Sequence, residues 1–326
     1  MNTQQIKELF KKFNGKKVAV VGDLMLDAYY WGEVKRISPE APVPVVEIEK
    51  QFSRFGGAAN VAFNIVKLGA IPIPIGVIGN DQTGIELKEL MKEADIGDSG
   101  IIIDSSRPTT AKTRVIADNQ HIVRIDNESK KSVQPEIENK IIEYFKNISE
   151  NLDAVILQDY NKGVLTKKVI KEIIEIANIN NVIITVDPKF DNFFEYKNVT
   201  VFKPNKKETE EAYGIRIENS EHFENAGNRL LNDLNAKFIL LTLSEEGVAL
   251  FSSTQLEKKI PTKAREVADV SGAGDTVIST LTVALAAGAE ISDAAYLANY
   301  AGGLVCEEVG IVPINKEKLL DKVTKE

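Results

Sequence analysis

The sequence predicts an α/β fold of three layers, in which helices cover both faces of a mostly parallel central sheet. Short runs rich in β-branched residues alternate with helical patterns along most of the 326 residues. These predicted strands are continuously apolar, as is typical of strands that are buried on both faces. Strands that alternate with helices in this way form parallel sheets, because each return of the chain needs a crossover connection.

The predicted elements follow one another along the chain in this alternating order. Residues 17–23 form a short buried strand that ends in a Gly-Asp turn, and residues 60–68 form a helix that Gly69 closes. Residues 71–78 are again strand-like. The later apolar strands, most of them separated by helix-like segments, are predicted at residues 153–157, 181–187, 199–202, 237–242 and 248–251.

Polar side chains stand at the ends of several predicted strands. Ligands of open parallel sheets bind at the carboxyl ends of the strands, where such side chains would meet. The strand-closing residues are Asp23, Asp159, Asp187, Asn205 and Thr242. We therefore expect the functional site at this edge of the sheet.

Two segments interrupt the alternation of strands and helices. Residues 29–55 carry three prolines around a valine-rich run, and residues 109–126 alternate between apolar and polar side chains. Alternation with a period of two indicates short strands with one exposed face. We expect these strands to stand apart from the main sheet as a lid or a dimer interface. No repeat, linker or low-complexity segment divides the sequence, so residues 1–326 are predicted to form one domain.

The composition indicates which classes of binding partner to expect. The formal net charge of −8 argues against a nucleic-acid binder, which needs a surplus of Lys and Arg on one face. A single cysteine, Cys306, allows no internal disulfide and fits a reducing compartment. The sequence has no apolar run of transmembrane length and no signal-peptide pattern at its N-terminus. We therefore expect a cytoplasmic protein that binds neither membranes nor nucleic acids.

The most informative motif is Asp-Val-Ser-Gly-Ala-Gly-Asp at residues 269–275, followed by an apolar run that predicts a buried helix. Its glycines allow a tight turn that exposes consecutive amide N–H groups. A helix N-terminus is an anion site, because its first amides lack partners and its dipole is positive there. A carboxylate would compete with a bound anion unless it has a chemical role. Asp275 is therefore predicted to take a proton from a hydroxyl that attacks a phosphate held by the same amides.

Two further motifs each have a structural and a functional interpretation. Gly56-Gly57-Ala58-Ala59-Asn60 predicts a glycine turn into a helix, and it also lets a ligand approach the backbone while Asn60 hydrogen-bonds a hydroxyl. Asn205 and Glu208 predict a helix cap with a capping box. The same two oxygens could instead order Mg²⁺ and its waters near a nucleotide phosphate.

Other strand ends offer weaker signals. Residues 242–247 fit either a tight turn or a loop that lines a phosphate tail, and Lys189 is either solvated or reaches a polyphosphate. No Gly-x-x-x-x-Gly-Lys-Ser/Thr pattern occurs, which disfavours a P-loop kinase. No Gly-x-Gly-x-x-Gly follows the first strand, which disfavours a dehydrogenase.

Taken in this order, the motifs resemble the ribokinase-like (PfkB) family of sugar kinases over nearly the whole chain. The resemblance implies a ribokinase-like domain with a small β lid, and ATP and Mg²⁺ as cofactors. It implies Asp275 as the catalytic base and the amides of Gly272, Ala273 and Gly274 as the anion hole. It implies that Asn205 and Glu208 hold Mg²⁺ through water. The residues implied for nucleotide binding are Lys189, Asn205, Thr242, Ser244, Gly247 and Asn299, with Ser244 standing where members usually carry glycine.

A closer resemblance, to the heptose branch of this family, rests on residues 22–27 and 36–46. That branch phosphorylates D-glycero-β-D-manno-heptose 7-phosphate at its anomeric hydroxyl. Many members also carry an adenylyltransferase, whereas this chain resembles the stand-alone kinase. The sugar contacts implied for this chain are Asp27, Gly56, Gly57, Asn60 and Asp159. The cations that are candidates for holding the substrate phosphate are Arg114, Arg124, Lys162 and Arg36.

The resemblance also adds a monovalent cation, K⁺, beside the anion hole, where Asp269 and Ser271 fit. Two alternative functions stay open. One is a kinase of the same family that acts on a different sugar, sugar phosphate or nucleoside. The other is a non-catalytic regulator that binds a sugar or nucleotide, although such a protein would be expected to lose Asp275. The lid strands could also join two copies of the chain in a homodimer.

Overall fold

A large sheet of nine strands forms the centre of the computed structural model, which describes residues 1–118, 120–252, 255–262, 269–308 and 310–325. A second sheet of four strands accompanies it. The strands of both sheets, numbered along the chain, are β1 (Lys17–Gly22), β2 (Leu24–Ile37), β3 (Pro44–Gly57), β4 (Ile71–Ile78), β5 (Gly100–Ile103), β6 (Thr110–Ala117), β7 (Gln120–Asn127), β8 (Ala154–Gln158), β9 (Ile183–Asp187), β10 (Val201–Phe202), β11 (Phe238–Thr242), β12 (Val248–Ser252) and β13 (Gln255–Ile260).

The large sheet is mostly parallel. Its strand order is β13-β12-β11-β10-β9-β8-β1-β4-β5, and the neighbours from β11 to β5 all pair in parallel. Among the described residues, antiparallel pairs occur in this sheet only at one edge, between β11 and β12 and between β12 and β13. The carboxyl ends of β1, β8 and β9 therefore lie side by side in the middle of the sheet.

Helices cover both faces of the large sheet. Along β1, Val18 and Val20 pack into the core on one face, while Ala19 and Val21 pack into the core on the other. The helices are α1 (Thr3–Lys12), α2 (Ala58–Lys67), α3 (Gln82–Glu93), α4 (Pro135–Ile148), α5 (Lys167–Ile179), α6 (Lys206–Tyr213), α7 (Ser220–Leu234), α8 (Ala273–Ala286), α9 (Ile291–Cys306) and α10 (Lys316–Thr324). The first core is completed mainly by α1, α2, α3, α8, α9 and α10, and the second mainly by α4, α5 and α7. The predicted three-layer architecture is confirmed.

The second sheet, called here the small sheet, has the strand order β3-β2-β6-β7. Its long strands β2 and β3 are antiparallel, and β6 pairs in parallel with β2. These strands occupy the two segments predicted at residues 29–55 and 109–126, apart from residue 119, which lies outside the described residues. The strands β2 and β3 extend beyond the predicted limits, because β2 begins at Leu24 and β3 continues to Gly57. A lid role for this sheet stays a prediction.

The small sheet joins the large one without a flexible linker. Only Asp23 separates β1 from β2, and β3 runs directly into α2. Gly57 makes this second turn with a φ of +54°, a conformation that favours glycine. The carbonyl oxygen of Asp23 accepts a hydrogen bond from the Ala58 N–H at 3.0 Å, so the two junctions are bonded to each other.

Within the part of the chain that the structure describes, we find no helix that is both long enough and apolar enough to cross a membrane.

The pairing of β1 with β8 generates a stability prediction. A Cβ atom at Gly22 would overlap the carbonyl oxygen of its partner Gln158, and neither backbone can move easily in the middle of the sheet. We expect Gly22→Ala to lower the free energy of unfolding by about 3 kcal/mol, measured by urea denaturation. Gly97→Ala is the matched control, because a Cβ there meets no atom within 4 Å. Equal stability of the two variants would contradict the prediction.

Candidate active site

The N-terminus of α8 is formed by a glycine turn and is left open. Gly272 adopts φ +80° and ψ −1°, and no side chain caps the helix within the described residues. The Ala273 N–H donates to the carbonyl oxygen of Val270 at 3.3 Å, whereas the N–H groups of Gly272 and Gly274 have no acceptor in the described part of the chain. Of the three amides predicted to form an anion hole, two are therefore open to a ligand and one is partly engaged.

Asp275 lies in the first turn of α8 and is only 4% exposed. Its Oδ2 accepts a hydrogen bond from Asn60 Nδ2 at 2.7 Å. Its Oδ1 accepts one from the Tyr160 hydroxyl at 2.8 Å and one from Gln158 Nε2 at 3.2 Å. The carboxylate is thus held by side chains from α2, from β8 and from the loop after β8.

The pKa of Asp275 is raised to about 6. Burial is the largest cause, because a carboxylate loses hydration when it leaves water. The hydrogen bond from Asn60 lowers the pKa, the charge of Asp187 raises it, and the Tyr160 hydroxyl and Lys203 lower it again. A carboxyl group with this pKa is ionised at neutral pH and yet accepts protons more readily than an exposed aspartate.

Tyr160 is placed by a buried carboxylate at the end of β1. Asp23 Oδ2 accepts hydrogen bonds from the backbone N–H groups of Tyr160 at 2.8 Å and Lys162 at 3.1 Å. Asp23 Oδ1 accepts one from the Val164 N–H at 3.3 Å. The loop after β8 is therefore fixed to the end of β1, its neighbour in the sheet.

One side of Asp275 faces a cavity of about 480 Å³. The cavity also borders the open amides of α8, and the glycines Gly302 and Gly303 of α9 give it a flat apolar wall with Val277. Every residue predicted to bind the nucleotide lines it, namely Lys189, Asn205, Thr242, Ser244, Gly247 and Asn299. The structure therefore collects these residues, which come from four separate parts of the chain, around one space.

The cavity carries two lysine–carboxylate pairs. Lys203 lies 3.0 Å from Asp187, and Lys189 is in contact with Glu208. Burial would lower the pKa of Lys189, but the charges of Asp187 and Glu208 raise it above its ordinary value. Both lysines face a space that the open amides of α8 border.

Asn205 and Glu208 form the predicted capping box at the N-terminus of α6. Asn205 Oδ1 accepts from the Glu208 N–H at 2.8 Å, and Glu208 Oε2 accepts from the Asn205 N–H at 2.9 Å. No cluster of three or more His, Cys, Asp or Glu side chains suited to a metal occurs in the described residues. The oxygens of Asp187 and Glu208 at the cavity nevertheless fit Mg²⁺, which is usually held by few carboxylates together with water and phosphate oxygens.

The small sheet brings a second polar group close to the glycine turn of β3. Asp27 on β2 forms an ion pair with Arg114 on β6. Burial outweighs this charge, so the pKa of Asp27 is raised above its ordinary value. A Cβ atom at Gly56 would overlap Asp27 Oδ2, and at Gly57 it would lie 2.5 Å from the Asp23 carbonyl oxygen. The paired glycines are therefore required for this close packing.

The cations predicted to hold a substrate phosphate fall into two groups. Arg114 is half-buried beside Asp27, and Lys162 is nearly buried, 2.8 Å from Glu128. Lys112, which the sequence reasoning did not select, lies between these two pairs and contacts Asp126 and Glu128 at 3.4 and 3.5 Å.

Arg124 and Arg36 are more exposed. The Arg124 side chain is 57% exposed and bonds Asp126. Arg36 lies nine residues beyond Asp27 along β2, which at the rise of a strand is roughly 30 Å. The structure therefore does not bring Arg36 to Asp27 within one chain.

Asp159 points away from the cavity that contains Asp275. Its carboxylate accepts hydrogen bonds from the Tyr196 hydroxyl at 2.6 Å and the Asn161 N–H at 2.8 Å, and it borders a separate cavity of about 400 Å³. Burial and the charge of Asp23 raise the pKa of Asp159 to about 6. Asp159 therefore supports the loop after β8, while its neighbour Tyr160 reaches Asp275.

Asp269 and Ser271 lie beside the glycine turn, where a monovalent cation was expected. Asp269 Oδ1 accepts from the Ser271 N–H at 2.9 Å, and Oδ2 accepts from the Gly310 N–H at 3.1 Å. Burial alone would raise the pKa of Asp269, but these hydrogen bonds and Arg114 lower it below its ordinary value. The carboxylate thus ties the turn to the loop around residue 310.

Three residues that contact Asp275 or its neighbour Asp187 were missed from the sequence. Gln158 is the last residue of β8, Tyr160 follows the strand-closing Asp159, and Lys203 precedes a proline. Their only sequence signal is a position at the end of a strand. That signal became specific only once the strand order was known.

A known protein family and several curated relatives match most of the chain. A model of the pfkB family carbohydrate kinases matches residues 15–318. The chain is 41% identical over 320 residues to Bifunctional protein HldE of Geobacter sulfurreducens, covering 98% of this chain and 65% of that protein. It is 43% identical over 307 residues to Bifunctional protein HldE of Desulfatibacillum aliphaticivorans, covering 94% and 63%. The chain therefore spans a little less than two thirds of the length of these relatives.

Solved structures show the same fold. Arabidopsis thaliana ribokinase, in complex with ribose and ATP, matches with a TM-score of 0.74 and 20% identity over 94% of this chain and 99% of that one. Phosphofructokinase-2 of Escherichia coli, in complex with fructose-6-phosphate, matches with a TM-score of 0.78 and 16% identity over 95% and 99%. The expected ribokinase-like fold is confirmed. Because the family model covers almost the whole chain, the protein belongs to the pfkB family of carbohydrate kinases, the ATP-dependent enzyme class that its motifs predicted.

Proposed function

We propose that this protein transfers the γ-phosphoryl group of ATP to the anomeric hydroxyl of D-glycero-β-D-manno-heptose 7-phosphate, giving the 1,7-bisphosphate. The observation that carries the kinase chemistry is the buried Asp275 carboxylate, which shares one cavity with open helix amides and two lysines. The choice of sugar is supported by the motifs at residues 22–27 and 36–46 and by the relatives termed Bifunctional protein HldE.

Different residues of the site would bind the phosphates and accept the proton. The Gly272 and Gly274 amides and Lys189 face the space where the phosphates of ATP would lie. The attacking hydroxyl gives its proton to Asp275, its oxygen forms a bond to the γ-phosphorus, and the bond from that phosphorus to the β,γ-bridging oxygen breaks. ADP leaves, and Asp275 later returns its proton to water. The anomeric hydroxyl suits this base, because it is acidic for an alcohol.

Two ions would complete the site. Mg²⁺, when bound, neutralises charge on the phosphate oxygens, and Asp187, Asn205 and Glu208 are the residues that would hold it through water. K⁺ would lie beside the anion hole near Asp269 and Ser271.

The sugar is proposed to lie between Asp275 and the small sheet, against Asp27, Gly56, Gly57 and Asn60. Its 7-phosphate would reach Lys162 and Arg114, with Lys112 between them. A phosphate would then compete with Glu128 and Asp27 for these cations. Arg124 would contribute from the rim of the small sheet.

One observation favours a second candidate substrate. The four cations Lys112, Arg114, Arg124 and Lys162 already have carboxylate partners, which suits an unphosphorylated sugar held by neutral hydrogen bonds. A pfkB-family kinase for a different sugar is therefore the alternative. A non-catalytic regulator is disfavoured, because the base and the residues of the anion site are all in place.

The small sheet is also proposed to close over the sugar and to join two copies of the chain. Large apolar side chains are exposed on its strands and connecting loop, namely Ile37, Val43, Ile48, Ile122, Val123 and Ile125. Removing such side chains from water is favourable and would stabilise a homodimer.

The substrate choice is tested by ADP release with Mg²⁺ and ATP. The panel contains heptose 7-phosphate, fructose 6-phosphate, ribose and fructose. We expect kcat/KM for heptose 7-phosphate to exceed the others by at least 100-fold. Preference for an unphosphorylated sugar would keep the kinase and reject the heptose assignment.

The role of Asp275 is tested by Asp275→Asn, which keeps the shape of the side chain and removes the base. We expect kcat to fall by roughly 10²- to 10⁴-fold, the usual contribution of a positioned general base. Calorimetry should show that the variant still binds ATP, and urea denaturation should show that it is folded. Near wild-type turnover in the folded variant would reject Asp275 as the base.

The phosphate contact is tested by Lys162→Met. We expect KM for the phosphorylated sugar to rise at least tenfold while KM for ATP stays unchanged, because a charge-assisted hydrogen bond to the phosphate is lost. Lys171→Met is the control, since the Lys171 side chain is 71% exposed on α5 and, among the described residues, pairs only with Glu175. An unchanged KM for the sugar phosphate would remove Lys162 from the site.

A further inference from the structure

The hydrogen bonds to Asp275 are distributed unequally over its two oxygens. Oδ1 accepts from both the Tyr160 hydroxyl and Gln158 Nε2, whereas Oδ2 accepts only from Asn60 Nδ2 within the described residues. A carboxylate oxygen has about two lone-pair sites for hydrogen bonds. Oδ1 is therefore saturated by the protein, and the free acceptor site of Asp275 lies on Oδ2.

The Tyr160 hydroxyl is held where it is by contacts at both ends of the residue. Its backbone N–H is bonded to the buried Asp23, as are the N–H groups of Lys162 and Val164. Its ring lies under the ammonium of Lys189, whose Nζ is 5.7 Å from the ring centre. The hydroxyl is a good donor but not an acid here, because burial and then the charge of Asp275 raise the pKa of Tyr160 well above its ordinary value.

Gln158 adds a second donor but divides it between two carboxylates. Its Nε2 lies 3.2 Å from Asp275 Oδ1 and also 3.2 Å from Asp187 Oδ2. The Tyr160 hydroxyl is 0.4 Å closer to Asp275 at 2.8 Å, and it has no other acceptor in the described part of the chain. Tyr160 is therefore the main donor to Oδ1.

We propose that Tyr160 is a positioning residue of this kinase: its hydroxyl keeps the Asp275 carboxylate ionised and directs Oδ2 to the attacking hydroxyl of the sugar. This inference rests on the proposed role of Asp275 as the base. The Tyr160 hydroxyl bonds Asp275 directly, so it acts on the proton-transfer step through the base.

The charged groups around Asp275 set the direction of the expected effect. From the large sheet, Asp187 faces it with a negative charge and Lys203 with a positive one. Lys189 carries a further positive charge in the same cavity. None of these groups changes when the Tyr160 hydroxyl is removed. A hydrogen-bond donor stabilises the charged form of a carboxyl group, so its loss raises the pKa of that group. A larger fraction of Asp275 is then protonated at a given pH.

The test is the pH dependence of kcat/KM for Tyr160→Phe, measured with Mg²⁺, ATP and the preferred sugar of the panel. The base works only when deprotonated, so wild-type activity should fall as the pH drops through about 6. We call this fall in kcat/KM at low pH the acid limb. In Tyr160→Phe we expect the acid limb to move up by about one pH unit, which corresponds to a roughly tenfold lower kcat/KM below pH 6. At pH 8.5 the loss in kcat should stay below tenfold, and KM for ATP should be unchanged, because phenylalanine keeps the ring under Lys189.

Tyr196→Phe is the matched control. Tyr196 is also buried, and its hydroxyl donates to a carboxylate whose pKa is likewise raised to about 6, but that carboxylate is Asp159, outside the cavity of Asp275. We expect its acid limb to coincide with that of the wild type. If Tyr160→Phe loses activity equally at every pH, or if both variants shift alike, Tyr160 is a structural residue only and the inference is wrong.

A second variant covers the case in which Tyr160→Phe does not fold. Incorporation of 3-fluorotyrosine at position 160 keeps the ring and hydroxyl and makes the hydroxyl a stronger donor, so the acid limb should move down. An unmoved or raised limb would overturn the inference. Failure of the proposed function gives a different result. If Asp275→Asn retains turnover, Asp275 is not the base. If Asp275→Asn is inactive but the pH dependence of the Tyr160 variants matches that of the wild type, only the role of Tyr160 is rejected.

Discussion

Burying the carboxylate of Asp275 removes it from water, and the groups that replace the water come from separate parts of the chain. Asn60 is supplied by α2, Gln158 by the end of β8 and Tyr160 by the following loop, while the backbone dipole is that of α8. An ionised carboxylate is tolerated in such a place only if each donor is correctly positioned. The order of the strands β1, β8 and β9 positions these donors, because it brings the three strand ends together near the start of α8.

The charges on the two sides of Asp275 are organised differently. On the side of the cavity, Lys189 and Lys203 are paired with Glu208 and Asp187, but the open amides of α8 could receive an anion without first breaking a protein cap. On the side of the small sheet, Arg114 and Lys162 are held by Asp27 and Glu128. The open amides therefore favour an anion directly, whereas at the small sheet a ligand must first replace the existing carboxylate contacts with contacts of equal quality.

The alternation of apolar strands and helices was sufficient to predict the three layers and the edge of the sheet at which the site lies. The residues around the cavity beside Asp275 could be selected through the family resemblance, which the motifs at residues 56–60 and 269–275 carry. Gln158 and Tyr160 could not, since their role depends on β8 lying between β1 and β9, and no local pattern gives the strand order. Asp159 shows the same limit. Its side chain and that of its neighbour Tyr160 leave the end of β8 in different directions, so only Tyr160 reaches Asp275.

The limits of the small sheet were predicted too short for a related reason. Asp23 is the only residue between β1 and β2, and the composition does not change where the chain leaves one sheet for the other. At the other junction, Gly57 ends β3 and also begins α2, the helix that carries Asn60. Because Ala58 is bonded to Asp23, both junctions meet at one point. A displacement of the small sheet at this point would therefore reach Asn60, three residues after Gly57 along the chain, and through its hydrogen bond the Oδ2 atom of Asp275.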